Sequence, residues 1–353
     1  VNTKALLDLL IENYQRFVPT SSTKTNELRT KRLKVCNFIR QWINMYHVQM
    51  DNDTYDRYVD FIQQTVQQID GTTISQRLQV RTAASCSTAQ TKTYTESPPC
   101  AILPKKNPIT SVFELSPVEL ARQITLCESE LFTNIRPEEC LQWLDTDNKE
   151  RSSPNLVAIV TRFNHISNWV SSLIVCEPSL KKRAAHIEHF IRTAQHLRKL
   201  QNFQGLMEVM GGLQSNSVYR LRKSWDAITK VKRKRYDELN VLMSRSKSSK
   251  TYRDTIHSIT PPLIPYIGVY LSDLVYINDG NPDKLSDTPG HINFTKRKLL
   301  AGILQEIKQY QAQSYNLERV DVIQLLISSG KVLTEEDQYK CSLDVEQVGA
   351  DGE

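Results

Sequence analysis

The stretch Ser258–Pro282, SITPPLIPYIGVYLSDLVYINDGNP, decides how the rest of the chain is read. Pro261, Pro262 and Pro265 end any preceding helix and force an extended entry, because proline lacks an N–H and restricts the residue before it. A short apolar helix follows, through Tyr266, Ile267, Val269, Tyr270, Leu271, Leu274, Val275, Tyr276 and Ile277. It stops at Asn278-Asp279-Gly280-Asn281-Pro282. Gly280 is expected to take the left-handed conformation that closes a helix, and Pro282 forbids continuation. A helix apolar nearly all round suits complete burial. Its rigid entry and polar cap equally suit a stiff element projected from the body to press on something.

Outward from this stretch the pattern is helical. Downstream, Lys298–Gln311 reads as a helix. Upstream, the periodicity predicts helices over Trp225–Ser246, Met207–Leu213 and Leu180–Leu200. Ser153-Pro154-Asn155 opens another that runs to Trp169. Ser116-Pro117-Val118-Glu119 carries a capping hydroxyl, proline at the first position and an acid in the first turn. The first ninety residues repeat the pattern in Ala5–Tyr14, in Leu33, Cys36, Ile39, Trp42, Ile43 and Tyr46, and in Tyr55, Tyr58, Val59, Ile62 and Val66. Between Thr82 and Pro108, Ser, Thr, Ala, Gln and Pro dominate and offer little to bury. The expected organisation is a small helical module over 1–81, a flexible linker over 82–110, a main domain over 111–346 and a tail over 347–353. No strand-rich region or repeat is visible, so the fold class is all-α.

The 353 residues include 39% hydrophobic and 24% charged residues, ordinary for a globular chain. Only 11 glycines occur, and neither G-x-x-x-x-G-K-[ST] nor G-x-G-x-x-G is found, so the familiar nucleotide cradles are absent. The seven cysteines are scattered with no C-x-x-C pair, which argues against a zinc site or a disulfide framework and fits a reducing cytoplasm. No apolar run is long enough to span a membrane. A chain that opens at Val1, already in a helical pattern, reads as a piece of a longer protein. The net charge of +6 owes much to Lys230, Lys232, Arg233, Lys234 and Arg235. The plain reading of that run is a solvated helix face. A membrane surface or an acidic partner is the sharper one, and nucleic acid is disfavoured because no aromatic residues interleave the run.

The residues of Ser258–Pro282 resemble the helical hairpin of the Ras-family guanine-nucleotide exchange factors, the group that includes Son-of-sevenless. Further blocks match that domain in order. They are Leu120-Ala121-Arg122-Gln123-Ile124-Thr125, then Ser153-Pro154-Asn155-Leu156 with Asn168-Trp169, then Leu200-Gln201-Asn202-Phe203 and Val218-Tyr219-Arg220-Leu221. Ile292-Asn293-Phe294-Thr295-Lys296-Arg297 and Gln309-Tyr310-Gln311 match the helix packed behind the hairpin, and Leu343-Asp344-Val345-Glu346 the domain's close. More faintly, Leu6–Tyr14 and Arg32–Tyr46 resemble the later part of the N-terminal exchanger motif, without that motif's usual first helices.

The resemblance implies a multi-helix catalytic domain with a protruding hairpin, and a GDP-bound Ras-type or Rap-type GTPase as partner. It implies no covalent chemistry and no cofactor. Membrane contact would come through the GTPase or flanking domains. Carried over by motif, Val275 falls where the family sets an apolar side chain at the GTPase's Mg²⁺ position. A hydrocarbon there cannot supply the oxygen ligands that Mg²⁺ demands. Asp279 stands where the family often has Glu, as a carboxylate that replaces phosphate at the phosphate loop. Ser272 keeps the hydroxyl of a common Thr, and Asn281 fixes the hairpin's end. Val157, Val160, Met207 and Tyr266 would line a pocket for an aromatic side chain of switch II, with Gln214 on its rim.

Each assignment has a plainer counterpart. Val157, Val160 and Met207 recur at helical spacing, as core residues do. Asp279 reads also as an ordinary acid at a helix end, and Arg122 as half of a structural ion pair. His186 and His189 lie three apart but lack a third ligand. Two further readings stand beside exchange: a scaffold that binds a GTPase without discharging it, and a basic adaptor using Lys230–Arg235 on lipid or nucleic acid.

Overall fold

The computed structural model describes residues 3–18, 25–46, 51–78, 97–105, 108–144, 148–285 and 290–347. The chain divides into two compact units, Val1–Thr91 and Lys92–Glu353. Of the linker expected at 82–110, residues 82–96 and 106–107 lie outside the described residues, as do 348–353 of the expected tail.

In the first unit, α1 (Thr3–Arg16), α2 (Thr25–Tyr46) and α3 (Asn52–Asp60) lead into a π-helical turn at Phe61–Val66, then α4 (Gln67–Asp70) and α5 (Thr72–Leu78). Their apolar stripes form one core of Leu7, Tyr14, Cys36, Ile39, Trp42, Ile43, Tyr58, Phe61, Ile62, Val66 and Leu78. Asp51 starts α3 by accepting from Thr54 N at 2.8 Å, the usual use of a short acid at a helix N-terminus. Gly71, at φ 90°, makes the turn between α4 and α5 that a side chain would resist. Beside this core, Arg32 and Asp70 form a buried two-pronged ion pair, Nη2 to Oδ1 at 2.8 Å and Nε to Oδ2 at 3.0 Å.

The second unit opens with extended chain. Arg122 donates to Cys100 O, Ile102 N to the Glu119 carboxylate and Ala101 N to the Glu318 carboxylate, so residues 100–102 are tied down. Arg122 also meets Glu119 at 3.3 Å, the structural ion pair expected of it. The helices are α6 (Pro117–Thr133), α7 (Pro137–Gln142), α8 (Lys149–Ser152), α9 (Pro154–Val175), α10 (Leu180–Lys199), α11 (Phe203–Gln214), α12 (Asn216–Tyr219), α13 (Arg222–Asp226), α14 (Lys230–Met243), α15 (Ser246–His257), α16 (Ile267–Gly280), α17 (Phe294–Gln311), α18 (Asp321–Ser328) and α19 (Glu335–Val345). The described residues of this all-α chain form no strand, only the isolated bridges Asn202–Ile264 and Lys284–Ile292. The core gathers where α6, α9, α10 and α11 pack together, around Ile124, Trp169, Phe190 and Phe203. Glu346 closes the unit. Its carboxylate accepts from Arg183, Lys223 N and Ser224 N, so the chain is anchored up to that residue.

Three expected boundaries shift, two set by a local asparagine cap and one by an acid from another helix. The helix expected from Met207 begins at Phe203, where Asn202 accepts from Gly205 N at 2.8 Å. The continuous helix expected over Trp225–Ser246 is instead α13, α14 and the start of α15. The break before α14 is sealed by Glu188 of α10, which accepts from Thr229 N at 2.8 Å. The helix behind the hairpin starts at Phe294, not Lys298, with Asn293 accepting from Lys296 N. Ser116 caps α6 as read, taking Glu119 N at 3.1 Å.

Candidate functional site

Val157, Val160, Phe163 and Ser167 share one face of α9, at spacings of three and four. Met207, Gly211 and Gln214 share one face of α11. The two faces meet at Gly211, where an added Cβ would lie 2.9 Å from Ser167 Oγ and 3.7 Å from the Phe163 ring. Glycine therefore sets how closely the helices approach. Ser167 Oγ donates across the seam to Glu208 O at 2.9 Å. Tyr266, just before α16, brings its ring centroid to 5.8 Å from that of Phe163. Its N–H donates to Tyr252 Oη at 2.8 Å, and Ile267 N donates to Gln204 Oε1 at 3.2 Å.

Val157, Val160, Met207 and Tyr266 are all half-buried, neither core nor free surface. Val160, Met207 and Tyr266 also pack against the main core, so the core reading and the pocket reading are compatible for them. Gln214 lies at the mouth of an open cleft of about 630 Å³, shared with Phe163, Ser167 and Gly211. Its amide donates to Asn240 Oδ1 at 2.9 Å.

The second group of residues sits along α16. Ile267, Tyr270, Leu271 and Leu274 bury one face. The opposite face is open at Tyr276, 75% exposed, and Val275 on its flank is 38% exposed. The all-round apolar helix is thus buried on one side only. Ser272 is exposed and turns its Oγ back to Gly268 O at 2.8 Å. Asp279 is exposed at the far end. At a rise of ~1.5 Å per residue, Asp279 and Tyr266 are about 20 Å apart. The predicted residues therefore do not form one cluster: Tyr266 stands before α16, Ser272 and Val275 along it, and Asp279 and Asn281 at its far end. Gly280 is the helix's last residue and is not left-handed. Among the described residues only Gly71 and Gly290 are glycines with positive φ. Asn281, in extended conformation, ends the helix instead, its amide donating to Ile277 O at 2.9 Å.

What holds the hairpin stiff was not read from the sequence. Lys296 is 3% exposed and donates from Nζ to Asn278 O at 3.1 Å, while pairing with Asp283 at 2.9 Å. Asn293 donates to Pro282 O at 3.0 Å. Halfway along, Arg253 of α15 grips Asp273 with two bonds of 2.7 and 2.8 Å. At the base, Glu306 of α17 accepts from Tyr270 at 2.8 Å and from Tyr310 at 3.0 Å. Burial, with the Glu306 charge behind it, pushes the Tyr310 hydroxyl up to about 12, so it stays a donor. Near Tyr266 and Ser272 the backbone at Lys247, Ser248 and Ser249 is left-handed, a costly conformation for three successive side-chain-bearing residues.

His186 stacks on Phe113 with centroids 3.5 Å apart, and burial pushes the neighbouring His189 down to about 4. Both are packing residues. Among the described residues no cluster of His, Cys, Asp or Glu is arranged to hold a metal ion. The basic run occupies the first turns of α14, where Arg233 lies over the rings of Trp225 and Tyr236. No helix among the described residues is long and apolar enough to cross a membrane.

The family model described as the RasGEF domain matches residues 119–298. The chain is 35% identical to Ras guanine nucleotide exchange factor P of Dictyostelium discoideum over 357 residues, covering 96% of this chain and 23% of that protein. It is 34% identical to factor E of the same organism, covering 88% of this chain and 35% of the relative. Against factor A the figures are 31% identity, 95% and 57%. The chain therefore spans a quarter to somewhat over half of the length of these relatives.

Proposed function

This chain belongs to the RasGEF family, and on that premise we propose that it accelerates GDP release from a Ras-like small GTPase and so permits GTP loading. One observation carries the reading: a helix apolar enough to be core is braced by neighbours along its length, yet leaves Val275, Tyr276 and Asp279 exposed at its free end.

Nucleotides held at ~nM to ~pM are bound by roughly 12 to 16 kcal/mol, so they leave slowly unaided. A protein speeds release only by preferring the empty GTPase to the loaded one. A stiff wedge does this, because it occupies space that phosphate and Mg²⁺ would need. Val275 would bring hydrocarbon to the Mg²⁺ position, where only oxygen ligands serve. Asp279 would offer its carboxylate to the backbone donors that held phosphate. Ser272 and Asn281 would shape the wedge around them. The pocket of Val157, Val160, Met207 and Tyr266, with Gln214 at its rim, would seat a switch II aromatic and hold the partner while the wedge enters. Buried aromatic anchors of this kind dominate interface energy.

Fluorescent-GDP release from a panel of Ras-type and Rap-type GTPases tests the reading. Wild type should accelerate release from at least one member. Tyr266→Ala, at a half-buried residue on the edge of the main core, should reduce release to the unassisted rate while the chain still melts cooperatively. Flat release across the panel, with GTPase binding intact, would instead support the scaffold.

A further inference from the structure

Where α6, α9 and α11 pack together lies a buried ionic cluster with no part in the exchange reading. Glu128 of α6 and Glu208 of α11 are both fully buried. Arg162 of α9 donates from Nε to Glu128 Oε1 at 3.0 Å. The other titratable group against the cluster, the Cys127 thiol, is pushed up to about 11 by burial and stays neutral. Two acids thus face one cation. Glu128 Oε2, Glu208 Oε2 and Arg162 Nη2 are all buried without a hydrogen-bond partner.

Ionised carboxylates are acceptors only, so two of them in contact bond nothing. One proton shared between them turns the contact into an O–H···O bond and removes the surplus negative charge. The proton belongs on Glu208. Burial lifts both carboxyls; the Glu128 charge lifts that of Glu208 further, well above the usual range, whereas Arg162 bonds directly to Glu128 and works against the rise there. Glu208 Oε1 also accepts from Gln204 Nε2 at 3.1 Å. That bond fixes which way the Gln204 amide faces, and its oxygen then accepts from Ile267 N at 3.2 Å. Ile267 opens the hairpin helix, next to Tyr266.

We propose that Glu208 is a positioning residue for exchange: protonated and bonded to Glu128, it orients Gln204 and, through Gln204, the first backbone N–H of α16. The proposal rests on the exchange reading above. Loss of the proton sets two carboxylates against one guanidinium, so the relay is disturbed on the alkaline side. The sign for stability is the same. The folded chain holds this proton more tightly than the unfolded chain does, so stability falls as pH rises above the ordinary carboxyl value of 4.5 towards the raised one.

Glu208→Gln copies the protonated acid, with an NH₂ for Glu128 and an oxygen for Gln204, and cannot ionise. GDP release from a responsive GTPase should be measured from pH 6 to 9 with wild type, Glu208→Gln and Gln204→Leu, alongside thermal melting. Glu208→Gln should match wild type at its acidic end. It should outpace wild type by roughly tenfold for each pH unit above the titration, in maximal rate and not in KM. Its melting temperature should fall less with pH. Gln204→Leu, which keeps the acid pair but cuts the relay, should be slow at every pH and keep the alkaline loss of melting temperature. Identical alkaline limbs for wild type and Glu208→Gln, or full exchange by Gln204→Leu, would overturn the proposal. Absence of exchange by wild type on every GTPase would sink the exchange reading and the positioning role together. The melting comparison would still decide where the proton lies.

Discussion

Asp279 is exposed on the last turn of a helix, where the dipole disfavours an acid. Among the described residues its side chain meets only a long contact, from Asn278 Nδ2 at 3.5 Å. A residue so placed costs the fold little to remove, so Asp279→Ala should change stability by less than about 0.5 kcal/mol. If its carboxylate stands in for phosphate, the same change should slow GDP release by roughly tenfold or more, the worth of one charge-assisted bond. A parallel fall in stability and rate would show Asp279 to be structural. Such residues were legible in the sequence because they lie within one local stretch of recognisable order. Phe163 and Gln204 were not. Their partners, Tyr266 and Ile267, are remote in sequence, and neither residue type signals the contact.

At the scale of the element, the hairpin's stiffness comes from bonds that join α16 to α15 and α17. Lys296→Met would keep most of the buried stem and delete the ammonium. Asn278 O would then lose its donor beneath the tip, at a cost of about 1–3 kcal/mol. The melting temperature should drop, and exchange should slow beyond what the lost fold accounts for, with Lys296→Arg recovering part of the rate. Arg253→Met breaks a half-exposed pair and should cost at most about 1 kcal/mol, so any larger fall in rate reports on hairpin orientation. Helix existence was readable from periodicity, but helix ends were less so. Thr229 and Ile228 carry no glycine or proline to mark the break before α14; the signal is Glu188, on another helix. A cap supplied through tertiary contact leaves no mark in the local sequence.

At the scale of the whole molecule, the chain divides into two units and each encloses its own core. The first core is small, so a single buried ion pair weighs heavily in it. Burial works to raise the Asp70 carboxyl, but bonds from Arg32 and Tyr14 outweigh it and hold the group below its ordinary range. The folded unit therefore releases this proton more readily than the unfolded chain. Its stabilising share is complete above the ordinary carboxyl value of 3.8 and is lost as pH falls through the lowered one. Asp70→Asn would leave the Arg32 guanidinium buried against a neutral amide, at a cost of about 3–5 kcal/mol, a large part of what holds a small unit together. Hydrogen exchange, corrected for its intrinsic pH dependence, should show α2 and α3 losing protection in Asp70→Asn at pH 6 while α10 and α11 keep theirs. Wild type should reproduce that loss only on acidification below about 4. Equal protection of α2 in the two chains at pH 6 would mean that the Arg32–Asp70 pair does not hold the first unit together.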